Sequence, residues 1–318
     1  MNCGATQALA ALLLLATPMA AQAARPKPPA AFTIAISPNG NPYLPVMVKN
    51  ATLNIRIALS YDQGLVLNPA AVQRAGVKPF PIIGKFSLDN TPFASGKTVI
   101  RFNLGTATPQ GLPGRKVPIA WLETPTAADA DGILPVGSLS ADRIDIVRGD
   151  TPPGSQTFVI PKKGKGEAMI RTRIGGEEVN VSLELNIPTT VMNARAGAAL
   201  IKAGMASRVA EIGYWRPFPA VSLPMQSLAG KPGLTIAGLP MRRLSVRVSE
   251  SEARAIDAQA RGTSTAKDDE DTITVAADRK QRRGRDPWLL IGRDVLDDCS
   301  RITFDRPGER WVLTCKFG

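Results

Sequence analysis

Apolar and polar residues alternate along Leu53-Asn54-Ile55-Arg56-Ile57-Ala58-Leu59, the period of a strand with one buried face. The same alternation recurs in Val179-Asn180-Val181-Ser182-Leu183-Glu184-Leu185. Each run leads through a turn to a short apolar strand, Val66-Leu67 or Val191-Met192, and then to a short helix opening at Asn68 or Asn193. Pro79-Phe80-Pro81 follows the first helix and Pro217-Phe218-Pro219 the second. The halves also close alike. Ile133-Leu134-Pro135-Val136-Gly137 precedes the strand at Arg143 to Val147, and Leu289-Leu290-Ile291-Gly292-Arg293-Asp294-Val295-Leu296 precedes the strand at Arg301 to Asp305. These matches fall in the same order in both halves, so the chain reads as two copies of one β-rich unit.

Further elements flank these copies. Leu9 to Ala16 is an unbroken apolar run followed by small residues ending Ala21-Gln22-Ala23. Residues 1–23 therefore read as a cleavable signal peptide, although no Lys or Arg precedes the run, and the destination is periplasmic or secreted. Residues 24–47 form an N-terminal segment, 48–147 the first unit, 148–165 a Gly-, Pro- and Thr-containing linker, and 166–318 the second unit. The second unit carries a charged insertion at 250–286, with few large apolar residues, which reads as a solvated loop. Arg306-Pro307-Gly308 reads as a hairpin turn, and a pairing centred on Pro307 sets Cys299 opposite Cys315. No later stretch is apolar enough for a membrane helix.

Composition narrows the chemistry. Aromatic residues make up 5% of the chain, while Gly (28) and Pro (27) are frequent, which favours short strands and many turns. Histidine is absent, so Ser-His-Asp and Cys-His centres and the commonest zinc ligand sets are excluded. Neither a metal nor any other cofactor is called for. Once Cys3 leaves with the signal peptide, Cys299 and Cys315 remain and pair as a disulfide in an oxidising compartment. The net charge of +12 lies wholly beyond the signal segment and favours anionic envelope polymers or lipid head groups by non-specific attraction. The basic run 279–285 is the candidate polyanion contact.

The repeated pattern resembles the retropepsin-like aspartic protease family. There a strand runs into Asp-Thr-Gly, a short apolar strand and helix follow, then a flap hairpin, and Leu-Leu-Gly-x-Asp-x-Leu closes the unit. Leu289 to Leu296 matches that closing motif through Gly292, Asp294 and Leu296, and Val66-Leu67-Asn68 and Val191-Met192-Asn193 match the strand after the catalytic loop. The resemblance implies an all-β fold with short helices. It has two pseudo-twofold-related β-barrel units in one monomeric chain, with a cleft that takes an extended peptide. It also implies a carboxylate dyad, but counting back from Val66 and Val191 gives Leu59-Ser60-Tyr61 and Glu184-Leu185-Asn186 in the catalytic positions. Asp62-Gln63-Gly64 resembles Asp-Thr-Gly only if the loop is shortened. Two readings follow: a catalytically degenerate protein that binds extended peptides, or an endopeptidase with an unusual Asp62/Glu184 pair.

Overall fold

The structure, a computed structural model, describes residues 29–37, 40–60, 64–91, 94–164, 167–219, 221–261 and 286–318. The signal-peptide reading, Asp62 and the basic run 279–285 lie outside these residues. The fold is mostly β, as expected.

The first part of the chain forms Ala31–Ala35 (β1), Tyr43–Val48 (β2), Ala51–Ala58 (β3), Leu65–Leu67 (β4), helix Pro69–Ala75 (α1), Lys85–Thr91 (β5), Ala94–Pro109 (β6), Arg115–Trp121 (β7), Gly132–Pro135 (β8) and Arg143–Val147 (β9). Gln156–Pro161 (β10) follows, a strand inside the segment that its Gly, Pro and Thr content marks as a linker. The rest forms Ile170–Ile174 (β11), Glu177–Leu183 (β12), Thr190–Met192 (β13), helix Ala194–Lys202 (α2), Ala206–Phe218 (β14), Val221–Gly230 (β15), the small pair Thr235–Ile236 (β16) and Leu239–Pro240 (β17), Leu244–Arg247 (β18), helix Glu250–Ala260 (α3), Trp288–Ile291 (β19), helix Arg293–Leu296 (α4), Cys299–Asp305 (β20) and Arg310–Cys315 (β21).

Two sheets of seven strands carry most of the chain, in the orders β2-β3-β8-β4-β7-β6-β5 and β11-β12-β19-β13-β18-β15-β14. Read along these orders, both sheets run through the same pair senses: antiparallel, parallel, antiparallel, parallel, antiparallel, antiparallel. The first sheet closes into a six-stranded barrel, because β2 also pairs with β6. A five-stranded sheet, β1-β9-β20-β21-β10, joins strands from both halves of the chain.

Alternation explains the strands. Leu53, Ile55 and Ile57 on β3 and Val179, Val181 and Leu183 on β12 are fully buried. Each such side chain contributes about 1.5–3 kcal/mol of transfer free energy. Both expected helices form, and their opening asparagines diverge. Asn193 caps α2, its Oδ1 accepting from Ala196 N at 3.0 Å. Asn68 makes no cap and instead accepts from Thr126 N at 2.7 Å and Ala127 N at 3.1 Å, tying down the loop before β8.

The start of the charged insertion is ordered, contrary to the solvated-loop reading. A capping box between Ser249 and Glu252 opens α3, which buries Ala253 and packs on β14 and β15. Favourable capping and a single small buried residue replace the large apolar side chains whose absence argued for a loop. No helix among the described residues is long and apolar enough to cross a membrane.

The hairpin turn expected at Arg306-Pro307-Gly308 joins β20 to β21. Arg301 to Asp305 pair one residue off the register centred on Pro307, and an irregularity between Cys299 and Arg301 returns Cys299 to a place opposite Cys315. The two form a disulfide, with Cα atoms 3.8 Å apart.

Candidate functional site

Two loops meet where β3 and β12 end. Along β12 the core-facing residues are Val179, Val181 and Leu183, and Leu185 continues the phase. Glu184 is out of phase and points to the opposite face of its sheet, yet it is buried at 4% exposure. On β3 the core face runs through Ile55, Ile57 and Leu59, so Ala58 and Ser60 point away from the core in the same manner. Both sheets therefore bury part of a second face, and there Ser60 and Glu184 touch.

The Ser60 hydroxyl donates to Glu184 Oε2. Glu184 Oε1 accepts from the Asn186 backbone N–H at 3.0 Å and from Asn186 Nδ2 at 2.7 Å. The Glu184 backbone N–H donates to Ile291 O at 2.9 Å, which anchors the loop to β19. Burial pushes the Glu184 carboxyl up from its ordinary 4.5, against the opposing pull of the Ser60 and Asn186 hydrogen bonds and of the Arg56 charge. Arg56 itself pairs with Asp129 at 2.9 Å.

Strand register identifies the residue that occupies Glu184's place in the first sheet. Val66 pairs with Ile133 and Val191 with Leu290, so Leu134 corresponds to Ile291. Ile57 pairs with Leu134 and Leu183 with Ile291. The counterpart of Glu184 is therefore Ala58, and that of Asn186 is Ser60. Counting back from Val66 had placed Leu59 there. The count is off by one because the first loop holds one residue more than the second. Among the described residues, the side chains bonded to Glu184 are Ser60 and Asn186, neither of them acidic. The other proposed carboxyl, Asp62, lies outside the described residues.

Asp294 of the closing motif has a bracing role. Its Oδ1 accepts from Thr190 Oγ1 at 3.1 Å and its Oδ2 from the Arg243 backbone N–H at 3.0 Å. Burial raises its carboxyl pKa against these hydrogen bonds. Gly292 N–H donates to the same Thr190 hydroxyl at 3.2 Å. A Cβ on Gly292 would lie 2.6 Å from the Thr189 carbonyl, so only glycine fits where the closing turn crosses that loop.

The face carrying Glu184 continues into an apolar cluster that the sequence reading missed. Leu290 pairs with both Ser182 and Val191, which puts all three on Glu184's face. There Ile187, Val191 and Met225 are buried beneath Trp215, Trp288 and Leu290. The rings of Trp215 and Trp288 are 6.0 Å apart. Trp215 Nε1 is buried with no acceptor among the described residues. The bulges of β14 break its alternation and hide Trp215 from a period-two search. The rarity of aromatics in this chain was the available signal.

A cavity of about 410 Å³ opens beside Asp294, lined also by Pro188, Arg242, Arg243, Arg293, Asp297 and Asp298. Two of its three arginines are paired with carboxylates, while the Arg243 guanidinium donates to Pro188 O at 3.0 Å. Arg242 pairs with Asp298, and Arg293 with Asp297 at 3.1 Å.

No protein-family model matches this chain, and no curated protein is significantly similar to it.

Proposed function

We propose that this is an exported protein of the retropepsin-like aspartic protease fold, two pseudo-twofold copies in one chain, that has lost its dyad and binds extended peptides. The shared strand order and pair senses of the two seven-stranded sheets support the duplication. The observation that carries the functional reading is the Glu184 site. Aspartic catalysis needs two carboxyls sharing one proton across the axis. Here the position matching Glu184 is Ala58, and both Glu184 oxygens accept hydrogen bonds from Ser60 and Asn186. An alanine methyl can neither take a proton from water nor give one to a leaving amine.

Binding needs no such pair. Among the described residues β14 is the edge strand of its sheet, the place where an extended peptide can add by backbone hydrogen bonds. Trp215 on β14 and the adjacent Trp288 offer a half-buried apolar floor.

Two measurements test this together. A denatured protein substrate incubated at about pH 4, the acid range of such dyads, should remain intact. Cleavage abolished by either Asp62→Ala or Glu184→Ala would establish the Asp62/Glu184 endopeptidase instead. An array of extended peptides rich in apolar residues should show binding that Trp215→Ala weakens about tenfold or more, as loss of a buried aromatic anchor does. Binding indifferent to Trp215 would remove the cleft from the proposal.

A further inference from the structure

Apolar side chains crowd the outer face of the β5–β6 hairpin and the loop before it. Ile82 is 102% exposed, Leu104 63%, Ile83 62%, Phe86 44% and Phe80 40%. Strand phase accounts for the hairpin residues. Ala107 is buried, so the even-numbered residues of β6, Phe102 and Leu104 among them, point outward. Phe86 pairs with Ile100 and therefore shares that outward face, its ring 6.0 Å from that of Phe102.

The loop is built rather than loose. Phe80 N–H donates to Phe102 O, Phe102 N–H to Gly84 O, and Gly84 N–H to Phe80 O, each at 2.9 Å. A Cβ on Gly84 would lie 2.1 Å from the Phe80 backbone nitrogen, so the closure requires glycine. At its tip Ile82 adopts φ 68°, a left-handed conformation that β-branched residues avoid. The fold thus holds an isoleucine fully in water in an unfavourable backbone state.

Lysines accompany this loop and hairpin. Lys78 and Lys85 flank the loop in sequence and are exposed. Lys116 pairs with Thr106 and so lies on the same outward face as Leu104. None of the three forms an ion pair with a described residue, whereas the nearby Glu123 is neutralised by Arg101 at 2.9 Å. An exposed apolar tip flanked by Lys78 and Lys85, with Lys116 on the outward face of the neighbouring strand, on a chain of net charge +12, complements a surface that is apolar inside and anionic outside.

We propose that the 80–84 loop is a membrane-contact site whose Phe80, Ile82 and Ile83 enter the acyl boundary of an anionic bilayer while Lys78, Lys85 and Lys116 meet its head groups. This inference stands apart from the peptide-cleft reading and uses none of its residues.

The test is co-sedimentation of the full chain with phosphatidylcholine vesicles, with and without phosphatidylglycerol. Each lysine near an anionic surface is worth about fivefold in affinity, so the three lysines together predict roughly 100-fold tighter binding to the anionic vesicles. Ile82→Asn should weaken that binding about tenfold while the protein stays folded, because asparagine tolerates positive φ. Lys78→Glu with Lys85→Glu should abolish the preference for anionic lipid. Binding without regard to lipid charge, no binding to either vesicle, or binding unchanged by Ile82→Asn would each overturn the proposal. A concentration-dependent dimer that Ile82→Asn dissociates would also overturn it, assigning the patch to a second copy of the chain.

Discussion

Replacing Glu184 by glutamine should stabilise the protein at neutral pH and leave it nearly unchanged at low pH. Glutamine keeps the length of the side chain and an oxygen to accept from Asn186, and its amide can donate to Ser60 in the reversed sense. What it removes is a charge. Burial raises the Glu184 carboxyl above its ordinary 4.5, so the folded state prefers the protonated form. The stability contributed by that preference is fully present below the unfolded value of 4.5. It is lost as pH rises through the higher folded value. Each unit of upward shift corresponds to about 1.4 kcal/mol. Because other carboxyls also titrate, the informative quantity is the difference in urea-unfolding free energy between the variant and the parent, followed from about pH 4 to about pH 8. That difference should move in favour of glutamine as pH rises above the ordinary carboxyl range. Glu184→Ala, by contrast, leaves the donors of Ser60 and Asn186 without an acceptor and should cost about 2–4 kcal/mol across the range. A glutamine-minus-parent difference that is flat with pH, or that falls, would refute the argument that burial dominates at this carboxyl.

The disulfide and the closing turn make two further predictions. Replacing Cys299 and Cys315 by serine should cost about 3 kcal/mol, the loop-closure entropy for their separation of 16 residues, read as a lowered urea midpoint that reducing agent reproduces in the parent. Gly292→Ala must push its Cβ into the Thr189 carbonyl, and a loss of about 1–3 kcal/mol in thermal unfolding is expected, with a change under 0.5 kcal/mol counting against the close approach.

How much of this was legible in the sequence depended on whether a residue's role is local. Alternation in Leu53 to Leu59 and Val179 to Leu185 shows which residues face the core, because strand phase is set by nearest neighbours. The Cys299–Cys315 pair was legible because a short hairpin turn sets its register, although that register survives only through an irregularity at Ser300 that no pattern announces. The strand β10 was missed because its partner, β21, lies about 150 residues further on, and pairing with it overrides the composition of the surrounding segment. The helix α3 was missed because its stability comes from a capping box and one buried alanine, not from an apolar stripe.

The loop after β3 shows why a site is harder to read than a fold. A count from Val66 assumes that both loops hold the same number of residues, and nothing local enforces that equality. Pairing with β8 and β19 does enforce a correspondence, and it moves the position by one, from Leu59 to Ala58. One residue along a strand reverses the face. Leu59 would have pointed into the first barrel core, where it is in fact buried, while Ala58 faces the Glu184 side. The shift therefore changes the chemistry assigned to the site. It replaces an isobutyl group buried in the barrel core with a methyl group standing where a carboxyl would be needed, and it matches Ser60, which donates to Glu184, with Asn186. A serine hydroxyl and an asparagine amide can hold a single buried carboxyl in place, but neither can share its proton as a second carboxylate would. The same geometry that aligns the two loops thus sets a methyl group, and no second carboxylate among the described residues, opposite Glu184's place.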